Sequence, residues 1–178
     1  QLNDKSWKEL KQSLGDSDLG GENVQDITEV IRSLLDNELY AAAGDLLAKI
    51  QDPFPDNPDL LTALAEYALS QDQINRAVQL AVLALDKSLA IANPPLHLSS
   101  VLFQLGKMEE CVQAAQAYLS KYPDHLDTHV FLASALSKMG DHSGAAKQAQ
   151  MASILKPKDI SILKDFAVYL EEAESWKE

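Results

Sequence analysis

Cysteine is nearly absent. Cys111 stands alone in 178 residues, so no disulfide can close within the chain, which suits a reducing compartment. Basic residues are scarce too. Lys and Arg total 15 against 27 Asp and Glu, a net charge of -12. Nucleic acid and anionic membrane surfaces both recruit cationic patches, so the charge argues against either partner. Aromatic residues make up only 6% of the chain, and glycine and proline number 7 each. That scarcity, with abundant Ala and Leu, suits closely packed helices better than sheets. No apolar run nears the ~18 residues of a membrane helix. The opening QLNDKSWKEL lacks the apolar stretch of a signal peptide, and a cytoplasmic location is expected. It also begins with Gln, as expected of a piece of a longer protein or of a processed start. A Gly-rich phosphate loop and a nucleophile elbow are both missing, so catalysis is not expected.

What the chain does contain is a 34-residue register. QLGKMEECVQAAQAYLSKYPDH, from Gln104, slides without a gap onto KMGDHSGAAKQAQMASILKPKD, from Lys138. Small residues and prolines match, and charges do not. The chain divides into blocks 24–57, 58–91, 92–125 and 126–159. Within each block, position 7 is Val30, Leu64, Leu98 and Leu132. Position 8 is Ile31, Ala65, Ser99 and Ala133, and position 11 is Leu34, Ala68, Leu102 and Leu136. Position 20 is Ala43, Ala77, Cys111 and Ala145, and position 24 is Leu47, Ala81, Ala115 and Ala149. Positions 4, 7, 8 and 11 share one face of a helix, and 20, 24 and 27 one face of a second. Gly106 and Gly140 mark the turn between the two helices, where Glu38 and Asp72 replace glycine. Proline near position 32 ends the second helix. Asn57, Asn93, Asp124 and Asp159 are the expected N-caps of the helices that follow. Each block then reads as a helix–turn–helix that must stack on its neighbours to bury its apolar face.

This pattern resembles the tetratricopeptide repeat family over residues 24–170. The resemblance implies an all-α fold, a right-handed α-solenoid of stacked helix–turn–helix repeats: four hairpins plus terminal helices. Residues 1–23 are expected to form an amphipathic helix and an acidic, Gly-containing linker. Residues 160–178 are expected to form a C-terminal capping helix. The family's frequent large aromatic early in the first helix is absent, since position 4 reads Ile27, Leu61, Pro95 and His129.

The resemblance also implies a non-enzymatic scaffold or adaptor that holds a peptide or helix of a partner in the concave groove of the first helices. Positions off the packing stripe then nominate Arg32, Glu66, Leu96, His97, Ser100, Phe103, Val130, Phe131, Ser134 and Lys138 as groove residues. Thr28, Thr62 and Ala63 fall in the same set. Glu29, Asp36, Asp59 and Glu66 make one half of the groove acidic. Leu96, Phe103, Val130, Phe131 and Val168 make the other half apolar. The expected ligand is a protein or peptide with a basic end and an apolar anchor. The family's carboxylate-clamp subclass uses clustered bases. Here only Arg32, Lys138 and Lys164 face inward, on distant repeats, so that mode is not expected. Two further readings stand beside the adaptor. One is a regulatory or substrate-docking arm of a larger enzyme, such as a glycosyltransferase-, sulfotransferase- or thioredoxin-like fusion. The other is a self-assembling homo-oligomer in which Trp7, Leu10 and Leu14, on one helical face, dock into a groove. In the tail EEAESWKE, Trp176 offers a similar anchor. No cofactor and no metal site are expected. His125 and His129 have a zinc-compatible spacing, but one falls in a loop and the other on a packing position. Cys111 sits at a small-residue contact, where packing outweighs reactivity.

Overall fold

Four residues spaced 34 apart, Glu38, Asp72, Gly106 and Gly140, take positive φ angles of 59°, 57°, 73° and 85° in the computed structural model of the chain. The structure describes residues 24–50 and 55–175. The expected N-terminal helix with Trp7, Leu10 and Leu14, the linker after it, and Trp176 all lie outside the described residues. Among the described residues there are nine helices and no strand. We number them α1 (Val24–Asp36), α2 (Tyr40–Ile50), α3 (Pro58–Ser70), α4 (Ile74–Ile91), α5 (Leu98–Gln104), α6 (Met108–Lys121), α7 (Leu126–Lys138), α8 (His142–Leu155) and α9 (Ile160–Ser175).

The positive φ angles end α1, α3, α5 and α7 in the same way. In each case the residue after the left-handed one donates its N–H back to the carbonyl at position 11. Leu39 bonds Leu34 at 2.8 Å, Gln73 bonds Ala68 at 2.9 Å, Lys107 bonds Leu102 at 2.9 Å and Asp141 bonds Leu136 at 2.9 Å. This is the six-to-one bond of a Schellman turn, which satisfies a carbonyl that the helix end would otherwise leave bare. Glutamate and aspartate thus adopt the conformation that glycine takes in the later turns.

The described residues fall into two compact units that divide between Ala84 and Leu85. In the first, α1 packs on α2 and α3, and α2 packs on α3. Its core joins Ile27, Ile31 and Leu34 of α1, Ala43, Leu46 and Leu47 of α2, and Leu60, Ala63 and Leu64 of α3. In the second, α5 packs on α6 and α7, α6 on α7, α7 on α8, and α8 on α9. Leu98, Leu102, Cys111, Ala115, Leu132, Ala133, Ala145 and Ala149 are buried there. Every residue at positions 8 and 20 is buried, from Ile31 and Ala43 to Ala133 and Ala145. In the hairpin of α5 and α6 the contact between these positions is direct: Cys111 Sγ lies 3.2 Å from the Ser99 carbonyl. A larger side chain at either place would push the axes apart.

Two of the expected caps form. The Asn57 side chain accepts the Leu60 N–H at 3.0 Å, with Pro58 as the first helical residue. The Asp159 carboxylate accepts the N–H groups of Ser161 and Ile162 at 3.0 and 3.4 Å. The other two differ. His125, not Asp124, caps α7, through Nδ1 to the Thr128 N–H at 3.3 Å. Asn93 caps nothing and instead accepts the Lys121 ammonium at 2.8 Å. The cause is Pro94-Pro95: a residue before proline is pushed out of the helical region. Helix α5 consequently starts only at Leu98 and is seven residues long.

Candidate partner-binding site

In the second unit, Phe103 on α5 and Phe131 on α7 meet with ring centroids 5.9 Å apart and planes tilted by 55°. Both rings are half-buried. Lys138, the last residue of α7, holds its Nζ 4.2 Å from the Phe103 centroid, within cation–π range. The three side chains make an apolar step with a cationic edge. Leu96 and Val168 are exposed in the same unit, at 36% and 50%.

The hydroxyls predicted beside them are already engaged. Ser100 donates to its own helix at the His97 carbonyl, 2.8 Å away. Ser134 pairs with the Tyr169 hydroxyl at 3.3 Å. His97 itself is exposed at the start of α5. Val130 is half-buried and lines a small recess with Ala133, Ala149, Ala152, Ile162, Asp165 and Tyr169. It therefore turns toward α8 and α9 rather than lying open. One further cluster escaped the sequence reading. Glu172 on α9 accepts the Ser137 hydroxyl at 3.1 Å and meets His142 Nδ1 at 3.0 Å, linking α7, α8 and α9.

Arg32 and Glu66 lie in the first unit and have a different character. The Arg32 guanidinium is nearly buried, with Nη2 4.0 Å from Asp59 and Nε 3.7 Å from Glu66. Both nitrogens lack a hydrogen-bond partner among the described residues. Burial pushes the Glu66 carboxyl up to about 7, with the Arg32 charge pulling it down and Asp36 adding to the rise. Burial also raises Asp59 against the pull of Arg32. This is an ion cluster between α1 and α3, so two of the four acids read as a groove half are turned onto Arg32. Glu29 and Asp36 remain exposed. Thr28, Thr62 and Ala63 are fully buried rather than open to a ligand, and the Thr62 hydroxyl donates to the Pro58 carbonyl at 2.7 Å.

His129 is buried, with one ring nitrogen 2.8 Å from Gln148 and the other 2.8 Å from the Pro123 carbonyl. It ties the loop before α7 to α8, and neither nitrogen has a lone pair facing open space. His125 Nδ1 serves the cap of α7. Among the described residues no group of three His, Cys, Asp or Glu gathers at metal-binding distance. The Cys111 thiol is buried and pushed up to about 11. Among the described residues no helix is long and apolar enough to cross a membrane.

No protein-family model matches the chain, and no curated protein does. Solved structures do. MamA from AMB-1 is similar with a TM-score of 0.67 and 18% identity, over 83% of this chain and 87% of that one. PilF of Pseudomonas aeruginosa is similar with a TM-score of 0.67 and 17% identity, over 87% of this chain and 71% of that one. The Cut9–Hcn1 hetero-tetramer of the APC/C contains a chain similar with a TM-score of 0.63 and 14% identity, over 81% of this chain and 29% of that one. These are tetratricopeptide repeat structures, and the chain has the tetratricopeptide repeat fold.

Proposed function

We propose that the chain is a non-enzymatic interaction scaffold that binds a segment of a protein partner on the α5–α7 face of residues 85–178. The observation that carries this reading is the Phe103–Phe131 pair, half-open to solvent with Lys138 at its edge. A folded chain gains by hiding two phenylalanines completely, and a pair left only partly buried offers an apolar anchor point to a partner. An apolar side chain of the partner would fill the step between the rings and displace the water there. Lys138 favours an acidic or carbonyl-rich flank on that partner, beside the aromatic anchor. The acidic side of the expected groove contributes less than its charges suggest, because Asp59 and Glu66 already face Arg32. The rest of the nominated set, Leu96, His97, Ser100, Val130 and Ser134, shapes the step rather than supplying free donors.

The test compares the intact chain with Phe103→Glu/Phe131→Glu as bait in native extract, after checking that helicity and melting are unchanged. A partner retained by the intact chain and lost from the double variant supports the reading. A partner retained equally by both removes the α5–α7 face from it.

A further inference from the structure

Helices α7, α8 and α9 leave a small, part-open recess between them, beside the Phe103–Phe131 step but separate from it. Its walls are aliphatic: Val130 and Ala133 on α7, Ala149 and Ala152 on α8, and Ile162 on α9. Two polar side chains complete the lining, Asp165 and Tyr169, both on α9. Ile162, Asp165 and Tyr169 recur at spacings of three and four, so they share the face of α9 that is turned onto α7 and α8. Asp165 is exposed. Among the described residues its carboxylate has no hydrogen bond and no ion pair, and no other charged side chain lines the recess. Glu172, further along α9, is by contrast already engaged by Ser137 and His142.

A free carboxylate at the rim of an aliphatic recess selects its occupant. The recess is small and open on one side, so it seats a narrow chain of methylenes rather than a ring. The end of that chain must carry positive charge to meet Asp165. Lysine and arginine side chains are built this way, an apolar stem ending in a cation. Tyr169 supplies a second acceptor for the head. Its hydroxyl lies 3.3 Å from Ser134 Oγ, and a phenol that donates to Ser134 still has an oxygen lone pair to offer.

We propose that this recess is a second subsite of the partner site and takes a lysine or arginine side chain of the partner, its stem against Val130 and Ile162 and its head on Asp165 and the Tyr169 hydroxyl. The proposal rests on the α5–α7 reading for the partner, but not for the chemistry of the recess. Val130 and Phe131 are consecutive on α7, so one segment that lays an apolar side chain on Phe131 passes the recess as well. Lys138 stands eight residues beyond Val130, about 12 Å along the helix. The two charged edges have opposite sign and therefore set the direction of the segment. Its basic residue lies at the Val130 end and its acidic or carbonyl-rich flank at the Lys138 end.

The test titrates 15N-labelled chain with n-butylammonium chloride, and separately with n-butanol and sodium butyrate, at constant ionic strength. Each is taken to roughly 100 mM, because a ligand of this size binds in the millimolar range. Butylammonium should shift the amides of Val130, Ala133, Ile162, Asp165 and Tyr169 along one saturable curve. It should bind about threefold to tenfold more tightly than n-butanol, and butyrate should shift none of them. Asp165→Asn, at an exposed position, should bring butylammonium down to the affinity of n-butanol. Phe103→Glu/Phe131→Glu should leave butylammonium binding as it is, so a failure of the α5–α7 reading is told apart from a failure of the recess. The partner segment captured by the intact chain should bind Asp165→Lys at least about tenfold more weakly. Equal binding of butylammonium and n-butanol, shifts confined to other residues, or an Asp165→Asn variant that binds butylammonium undiminished overturns the subsite. A partner segment that binds Asp165→Lys as tightly as the intact chain overturns its place in the partner site.

Discussion

The four left-handed turn residues allow the same physical rule to be pushed in two directions. Glu38 and Asp72 hold φ near 59° and 57° with a side chain attached, while Gly106 and Gly140 hold theirs without one. A left-handed backbone costs an ordinary L-residue about 1–2 kcal/mol. Glycine at the same site loses about 0.5–1 kcal/mol more in entropy when the chain folds. The difference makes Glu38→Gly stabilising by about 0.5–1 kcal/mol. Asp72→Gly should stabilise by less, since aspartate visits this region more readily. Gly106→Ala and Gly140→Ala should each destabilise by about 1 kcal/mol. An added Cβ meets nothing within 4 Å at either glycine, so the loss at both comes from φ alone and not from a clash. Urea unfolding followed by circular dichroism reads these changes, each kcal/mol corresponding to about 2–4 °C in melting temperature. The reasoning fails if Gly106→Ala and Gly140→Ala are neutral, or if Glu38→Gly destabilises.

Two further outcomes follow from the buried groups. Glu66 has its folded pKa raised to about 7 from 4.5, so its contribution to stability is full below about 4.5 and is lost as the pH rises through 7. Glu66→Gln should therefore raise stability above pH 7, by up to about 3 kcal/mol, and flatten the decline between pH 5 and 8; a parallel decline in the variant would contradict the assignment. Cys111, fully buried and pushed up to about 11, should resist thiol reagents at pH 8 until the chain unfolds. Cys111→Leu should destabilise by about 1–3 kcal/mol through overpacking at the crossing, read as a lower urea midpoint.

The hairpins were legible because their contacts recur. Ala65, Ala77, Ala133 and Ala145 show a spacing that only packed helices require. The turns were half legible. Gly106 and Gly140 announced them, but Glu38 and Asp72 gave no sign that they would take the same φ. The caps of α5 and α7 were misread for opposite reasons. Pro94-Pro95 shortened α5 and left Asn93 outside it, while His125 supplied a nitrogen where Asp124 had looked the better oxygen. The candidate site was legible in its aromatic part, because Phe103 and Phe131 stand off the packing stripe. Its polar part was not. Arg32 meets Glu66, Ser134 meets Tyr169 and Ser137 meets Glu172, pairs separated by one repeat or one repeat plus a residue. Side chains on successive first helices neutralise each other, and a reading that treats each position singly counts them as free.

The central claim is that the face formed by α5 and α7 holds a partner. The most direct test is to titrate 15N-labelled chain with the partner segment that the intact bait captures and map the amide shifts. The account predicts perturbations concentrated at Phe103, Phe131, Ser134 and Lys138, saturating together and absent from Phe103→Glu/Phe131→Glu. Saturating shifts confined to residues 24–84, with α5 and α7 silent, would contradict it.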